Sequence, residues 1–124
     1  MTHPPRGQRH TQTGSIRLNA PAETVWDFIT AVDSVCLWYD TWDTVDNDTT
    51  DPRLRVGSSF HLTRRSDGGP ETARCEVTDL AAPTRLCWEQ SSPDAPTMTV
   101  SFVLKPGTDS GTIELEHTRT WTAP

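Results

Sequence analysis

"GTIELEHTRTWTAP", residues 111–124, decides how the rest of the chain is read. Ile113, Leu115 and His117 alternate with Glu114, Glu116 and Thr118, the period of a strand with one apolar face. A histidine therefore shares a face with two aliphatic side chains. Only a few residues follow, so the sequence poses two questions: what covers that face, and what the histidine does there.

Upstream, the same period recurs between turn signals. "SSFHLTRR" precedes "SDGGP", "TARCEVTDL" precedes "AAP", "RLCWEQS" precedes "SPDAP", and "TMTVSFVLK" precedes "PGTDSG". Short strands joined by tight turns predict an antiparallel meander. One face carries Phe60, Leu62, Cys75, Val77, Leu86, Trp88, Met98, Val100, Phe102, Leu104, Ile113, Leu115 and His117. The other carries His61, Thr63, Arg74, Glu76, Arg85, Glu89, Thr99, Ser101, Glu114 and Glu116, and is the wet side. A slip of one residue would exchange His61 and His117 between the faces.

At the other end, residues 1–13 mix Pro, Gly, Arg, Gln, Thr and His and read as a flexible tail, with a single domain over 14–124. "GSIRLNAPAETVWDFIT" changes period in its middle. Ile16 and Leu18 alternate as in a strand, and Val25, Trp26, Phe28 and Ile29 recur at helical spacing. Pro21 suits the first helical turn, and Glu23 sits where a negative charge favours the dipole. A second short helix is predicted over "DSVCLWY", capped by Asp33 or Ser34. Asp40 to Asp51 reads as a solvated loop: its aspartates lack the D-x-D-x-D-G spacing and closing Glu of a calcium loop. The predicted class is α+β: a curved antiparallel sheet of about six strands with two short N-terminal helices.

Composition bounds the function. The chain has 124 residues, enough for one core, and a net charge of −6. That charge and the lack of clustered Lys and Arg argue against a nucleic-acid partner. No apolar run reaches the roughly 20 residues of a membrane span, and the polar N-terminus has no leader pattern, so a cytoplasmic location is expected. Three cysteines, Cys36, Cys75 and Cys87, without C-x-x-C spacing, predict neither a disulfide framework nor a zinc site. No metal or cofactor is expected.

In their order and spacing, "APAETVWDFIT", "CLWY", "DPRLRVGSSFHL", "CEVTDLAAPTRLCWE" and "VSFVLKPGTDSGTIELEHT" resemble the helix-grip (SRPBCC) superfamily of START-type and polyketide-cyclase-type domains. Within it, the branch named after heat-shock ATPase activator homologues is the nearest in pattern. The resemblance spans about residues 14–119 and implies a sheet gripping helices around a cavity for an apolar small molecule. Members of the superfamily include cyclases, dehydratases and lipid carriers. They usually close the concave face with a long C-terminal helix, whereas here "TWTAP" follows the last strand. The apolar face then needs another cover: the N-terminal helices, a second copy, or a ligand or partner. The shortness of the helices favours a homodimer.

Chemistry is expected on the concave face and at its mouth. His117 is the candidate acid–base catalyst, its alternative role being a hydrogen-bonded core histidine. Tyr39 and Asp40, in "WYDTW", are candidates to assist it. Trp38, Trp42, Phe60, Leu62, Trp88, Met98, Phe102 and Leu115 are expected to contact an aromatic or polycyclic ligand, and Arg64 or Arg119 to steady negative charge. Trp38 reads first as a pin of the second helix to the core, and Arg64 could equally face solvent at a strand end. Two functions are consistent with these residues. One is a cofactor-independent cyclase or dehydratase. The other is a non-catalytic carrier or co-chaperone-like module. No nucleophile beside a base, no phosphate loop and no metal-ligand cluster supports a hydrolase, kinase or metalloenzyme.

Overall fold

The alternation from Ser59 onward folds into consecutive antiparallel strands. The computed structural model describes residues 9–39, 42–93, 95–107 and 111–122. Its strands are β1 (Arg9–Leu18), β2 (Thr44–Asn47), β3 (Ser59–Ser66), β4 (Gly69–Ala81), β5 (Arg85–Ser92), β6 (Ala95–Pro106) and β7 (Ile113–Thr122). They form one sheet in the order β1-β7-β6-β5-β4-β3-β2. Between β1 and β2 lie α1 (Ala22–Ile29), a 3-10 turn (Val32–Ser34) and α2 (Val35–Trp38).

Register puts the predicted apolar residues in rows across the strands. Phe60, Cys75, Gln90 and Met98 form one row; Val77, Trp88, Val100 and Arg119 the next; then Leu86, Phe102, His117 and Gly14; then Leu104, Leu115 and Ile16. Phe60, Leu62, Cys75, Leu86, Trp88 and Val100 are wholly buried. The outer face carries His61, whose Nδ1 lies 2.8 Å from Asp48 Oδ1, so the predicted register holds. A bulge between Val77 and Asp79 adds one residue to β4 and reverses the phase beyond it. Leu80 then packs against the core, and Asp79 pairs outward with Arg85 at 2.7 Å.

The helical segment covers the middle of the concave face. Val25, Trp26, Ile29, Val32 and Val35 are buried, while Phe28 on the far side of α1 is not. At the end of α1, the Thr30 hydroxyl donates to Trp26 O at 2.7 Å. Backbone bonds from Val32 N to Pro52 O and from Leu54 N to Thr30 O tie the segment to the loop before β3. Arg53 reinforces this, donating to Asp27 O (2.6 Å), Asp27 Oδ1 (3.0 Å) and Thr30 Oγ1 (3.2 Å).

Several expectations are corrected. The sheet has seven strands, because Thr44–Asn47, inside the segment read as a loop, pairs with Thr63 to Phe60. The N-terminal strand starts at Arg9, within the stretch assigned to a tail. Neither Asp33 nor Ser34 caps a helix through its side chain; the N-caps are Ala31 for the 3-10 turn and Ser34 for α2, both without a side-chain bond. The short helices, expected to be too small to cover the face, span its centre. Among the described residues no helix follows β7, none is long and apolar enough to cross a membrane, and no cluster of metal-ligating side chains occurs.

Candidate functional site

Trp88, at the centre of the sheet, anchors an aromatic cluster. Its ring centroid lies 5.2 Å from that of Phe60, 4.9 Å from Phe102 and 5.8 Å from Tyr39. Its Nε1 donates to Gln90 Oε1 at 3.2 Å, which satisfies both polar groups inside the core. The end of α2 lays Trp38 and Tyr39 over this cluster, with Trp38 edge-on to Phe102 at 4.7 Å. His117, beside Phe102 on the next strand, stacks on it at 4.8 Å and meets Tyr39 edge-to-face at 5.5 Å.

Beyond that contact the face is open, and register explains why. The β1 residue opposite His117 is Gly14, which has no side chain to close the row. A cavity of about 280 Å³ results, lined by Gly14, Ile16, Trp38, Tyr39, Leu115 and His117 among others. Three of these lining residues each hold a buried polar atom with no hydrogen-bond partner: Trp38 Nε1, Tyr39 Oη and His117 Nε2. An unmet buried polar group costs about 1–3 kcal/mol, so three at one place are expensive unless something that binds there meets them.

Electrostatics set their protonation. Burial, helped by the neighbouring Arg119 charge, pushes the His117 imidazole below its ordinary 6.5, so it is neutral at neutral pH and can accept a proton. Burial pushes the Tyr39 phenol up. Arg119, Gln90 and Trp42 oppose that rise, although neither Gln90 nor Trp42 stands in hydrogen-bond geometry to Oη. Tyr39 therefore stays a neutral donor.

Three further cavities extend the groove. Towards α1, about 280 Å³ is lined by Ile16, Leu18, Val25, Phe28, Ile29 and Leu115, with Trp38 shared between both spaces. At the other end Arg119 borders a space shared with Gly14 and His117, and also a larger mouth of about 490 Å³ containing Trp42, Arg64, Gln90 and Met98. There the Arg64 guanidinium sits 4.5 Å from the Trp42 ring centroid and donates to Glu71 at 2.8 Å.

The expected site residues thus separate into groups. Trp38, Tyr39, Phe102, Leu115 and His117 come together in the groove, and Trp42, Arg64, Met98 and Arg119 at its mouth. Phe60, Leu62 and Trp88, expected to touch a ligand, are wholly buried packing beneath it. Asp40 lies outside the described residues. Asp48 and Asp51 of the acidic loop are engaged by His61 and by Arg53 and Arg55. The three cysteines are free, and burial raises every thiol, which makes them poor nucleophiles.

Residues 19–123 match the family model described as Activator of Hsp90 ATPase homolog 1-like protein. The chain belongs to this family. Like other helix-grip (SRPBCC) proteins, this Activator of Hsp90 ATPase homolog 1-like chain shares its fold with solved structures of low sequence identity. The Zhui aromatase/cyclase from Streptomyces sp. R1128 aligns with a TM-score of 0.75 at 16% identity, covering 94% of this chain and 70% of the other. Ginseng major latex-like protein 151 from Panax ginseng gives 0.74 at 9% identity, covering 94% and 80%. Protein CV1439 from Chromobacterium violaceum gives 0.70 at 18% identity, covering 92% and 80%. No curated protein is a significant match.

Sequence reasoning missed Gly14, Ile16, Phe28 and Gln90 as cavity residues. Gly14 had a usable signal: a glycine inside a strand marks a place where something approaches closely or a side chain is unwanted. Gln90, on the same strand face as Trp88, was assigned to neither face, because its residue type is usually exposed.

Proposed function

We propose that the concave groove binds an apolar aromatic or polycyclic small molecule, with acid–base chemistry of the cyclase/dehydratase type and no cofactor. The observation that carries this is that three residues lining one aromatic-walled cavity, Trp38, Tyr39 and His117, each hold a buried polar atom without a partner. In the proposed step neutral His117 takes a proton from carbon beside a ligand carbonyl, and Tyr39 Oη donates a hydrogen bond to the enolate oxygen that forms. The enolate carbon then attacks a second carbonyl of the same molecule to close a ring, the resulting alkoxide taking the proton back from His117, or the enolate expels a β-hydroxyl that leaves as water with that proton. The fold shared with an aromatase/cyclase agrees with this chemistry without establishing it.

A second reading, a carrier without chemistry, is favoured by the adjoining space between Ile16, Val25, Phe28 and Ile29, which offers affinity but no proton-transfer group. A second copy of the chain is the proposed cover for the groove's rim, where Ile16 is 55% and Phe28 43% exposed. Mass in solution tests that part.

The groove itself is tested by native mass spectrometry for a co-purified small molecule and by tryptophan quenching with polycyclic probes. Saturable quenching that disappears in Trp38→Phe supports it. No bound molecule and no quenching by any polycyclic probe contradicts it. His117→Ala then separates the readings: an enzyme loses turnover and keeps its ligand, whereas a carrier changes only in affinity, and modestly.

A further inference from the structure

Arg119 is a half-buried cation on the concave face, and among the described residues no carboxylate lies within ion-pair distance of it. Four other cations of the sheet are paired: Arg64 with Glu71, Arg74 with Glu76, Arg85 with Asp79 and Lys105 with Glu116, while Arg65 on β3 is exposed to water. A guanidinium withdrawn from water without a counter-charge is unfavourable, and carboxylates match its fork of donors. Gln90, 7% exposed in the same cavity, has its oxygen occupied by Trp88 Nε1, so its amide hydrogens are what it can offer.

The strand gives the site a direction. Ile113, Leu115, His117, Arg119 and Trp121 point to one side along β7, facing Leu18, Ile16, Gly14, Gln12 and His10 of β1. The lining passes from aliphatic at Leu115 and Ile16, through imidazole, to guanidinium. At about 3.4 Å per residue, Leu115 and Arg119 are roughly 13 Å apart along the strand, with His117 midway.

We propose that the groove takes its ligand as a carboxylate, bound in one direction, with the anionic group on Arg119 and the apolar body against Leu115, Ile16 and Phe28. This rests on the groove being a ligand site, as proposed above, and adds the chemical class: an elongated apolar or aromatic acid. His117 then faces the middle of the molecule, roughly 7 Å from its carboxylate on the same strand spacing. Binding would also neutralise the charge that now lowers the basicity of His117, so the anionic ligand prepares the base that acts on it.

The test compares 2-naphthoic acid with its neutral amide by tryptophan quenching at pH 7.5, in wild type, Arg119→Met and Arg119→Lys, with circular dichroism to check folding. Wild type should bind the acid about tenfold or more tightly than the amide. Arg119→Met should bind both alike, the acid having lost its advantage over the amide, and Arg119→Lys should keep part of the preference. Equal binding of acid and amide by wild type overturns the carboxylate assignment and leaves the groove intact as a site. A preference that survives in Arg119→Met overturns the role of Arg119. If wild type binds neither probe, the assignment of an aromatic acid fails, and the groove is judged by the wider set of polycyclic probes and by native mass spectrometry.

Discussion

Filling the groove from the strand opposite it separates binding from folding. Gly14 faces His117 across the β1–β7 ladder, its φ is not positive, and nothing lies within 4 Å of where a Cβ would stand. Gly14→Leu therefore sets its Cβ in open space and adds three more carbons to the cavity. Replacing glycine inside a strand recovers about 0.5–1 kcal/mol of conformational entropy. Partial burial of the new side chain adds to this, at up to about 0.8 kcal/mol per buried CH₂. The variant should be as stable as wild type or more stable by about 1 kcal/mol, a Tm rise of about 4 °C for a domain of this size. A ligand that loses four atoms of contact, at about 0.3 kcal/mol per atom, gives up about 1.2 kcal/mol, close to tenfold in Kd. Urea unfolding reports the first effect and tryptophan quenching by 2-naphthoic acid the second. Unchanged affinity in a stably folded Gly14→Leu protein would refute the placement of the ligand between Trp38 and β1.

Other predictions concern the same elements. Trp88→Ala removes the buried centre of the aromatic cluster and strands the Gln90 oxygen; a loss of about 3–5 kcal/mol in urea unfolding is expected, enough to unfold a marginal domain. Arg53→Ala frees the end of α1 from the loop but breaks bonds that are partly in water, so the loss should stay near 1 kcal/mol or below, measured the same way. His117 contributes a pH dependence whose sign follows from its depressed pKa. The unfolded chain binds a proton near pH 6.5 while the folded chain does not, so stability present above that pH is lost as pH falls towards the folded pKa. His117→Gln should flatten the urea midpoint between pH 7 and 5 relative to wild type; an unchanged slope would count against a buried neutral imidazole.

Much of the sheet was legible because each strand buries one face, and burial imposes the two-residue period. The row from Phe60 to Leu115 could be read residue by residue, and His61 with its Asp48 partner fell on the predicted outer side. Strand β2 was not legible, because four residues at a sheet edge, "TVDN", bury little and lie among the aspartates of a loop. The start of β1 was hidden for the same reason: Arg9 to Thr13 is polar and buries little, and its pairing with Thr118 to Thr122 leaves no alternation of apolar residues to read. The site was half visible. His117, Tyr39 and Trp38 stand out by residue type, whereas sequence alone could not distinguish Trp88, a core residue, from Trp38, a groove residue. That difference arises from how α2 crosses the sheet.

The most direct measurement is the set of indole N–H resonances from the five tryptophans, followed while 2-naphthoic acid is added. Trp38 Nε1 has no partner and lines the groove, whereas Trp88 Nε1 is held by Gln90. The Trp38 resonance, assigned by its absence in Trp38→Phe, should move most and saturate, and those of Trp26 and Trp88 should move little. No saturable shift at Trp38, or a larger one at Trp26, would contradict a ligand site between α2 and the β1–β7 edge.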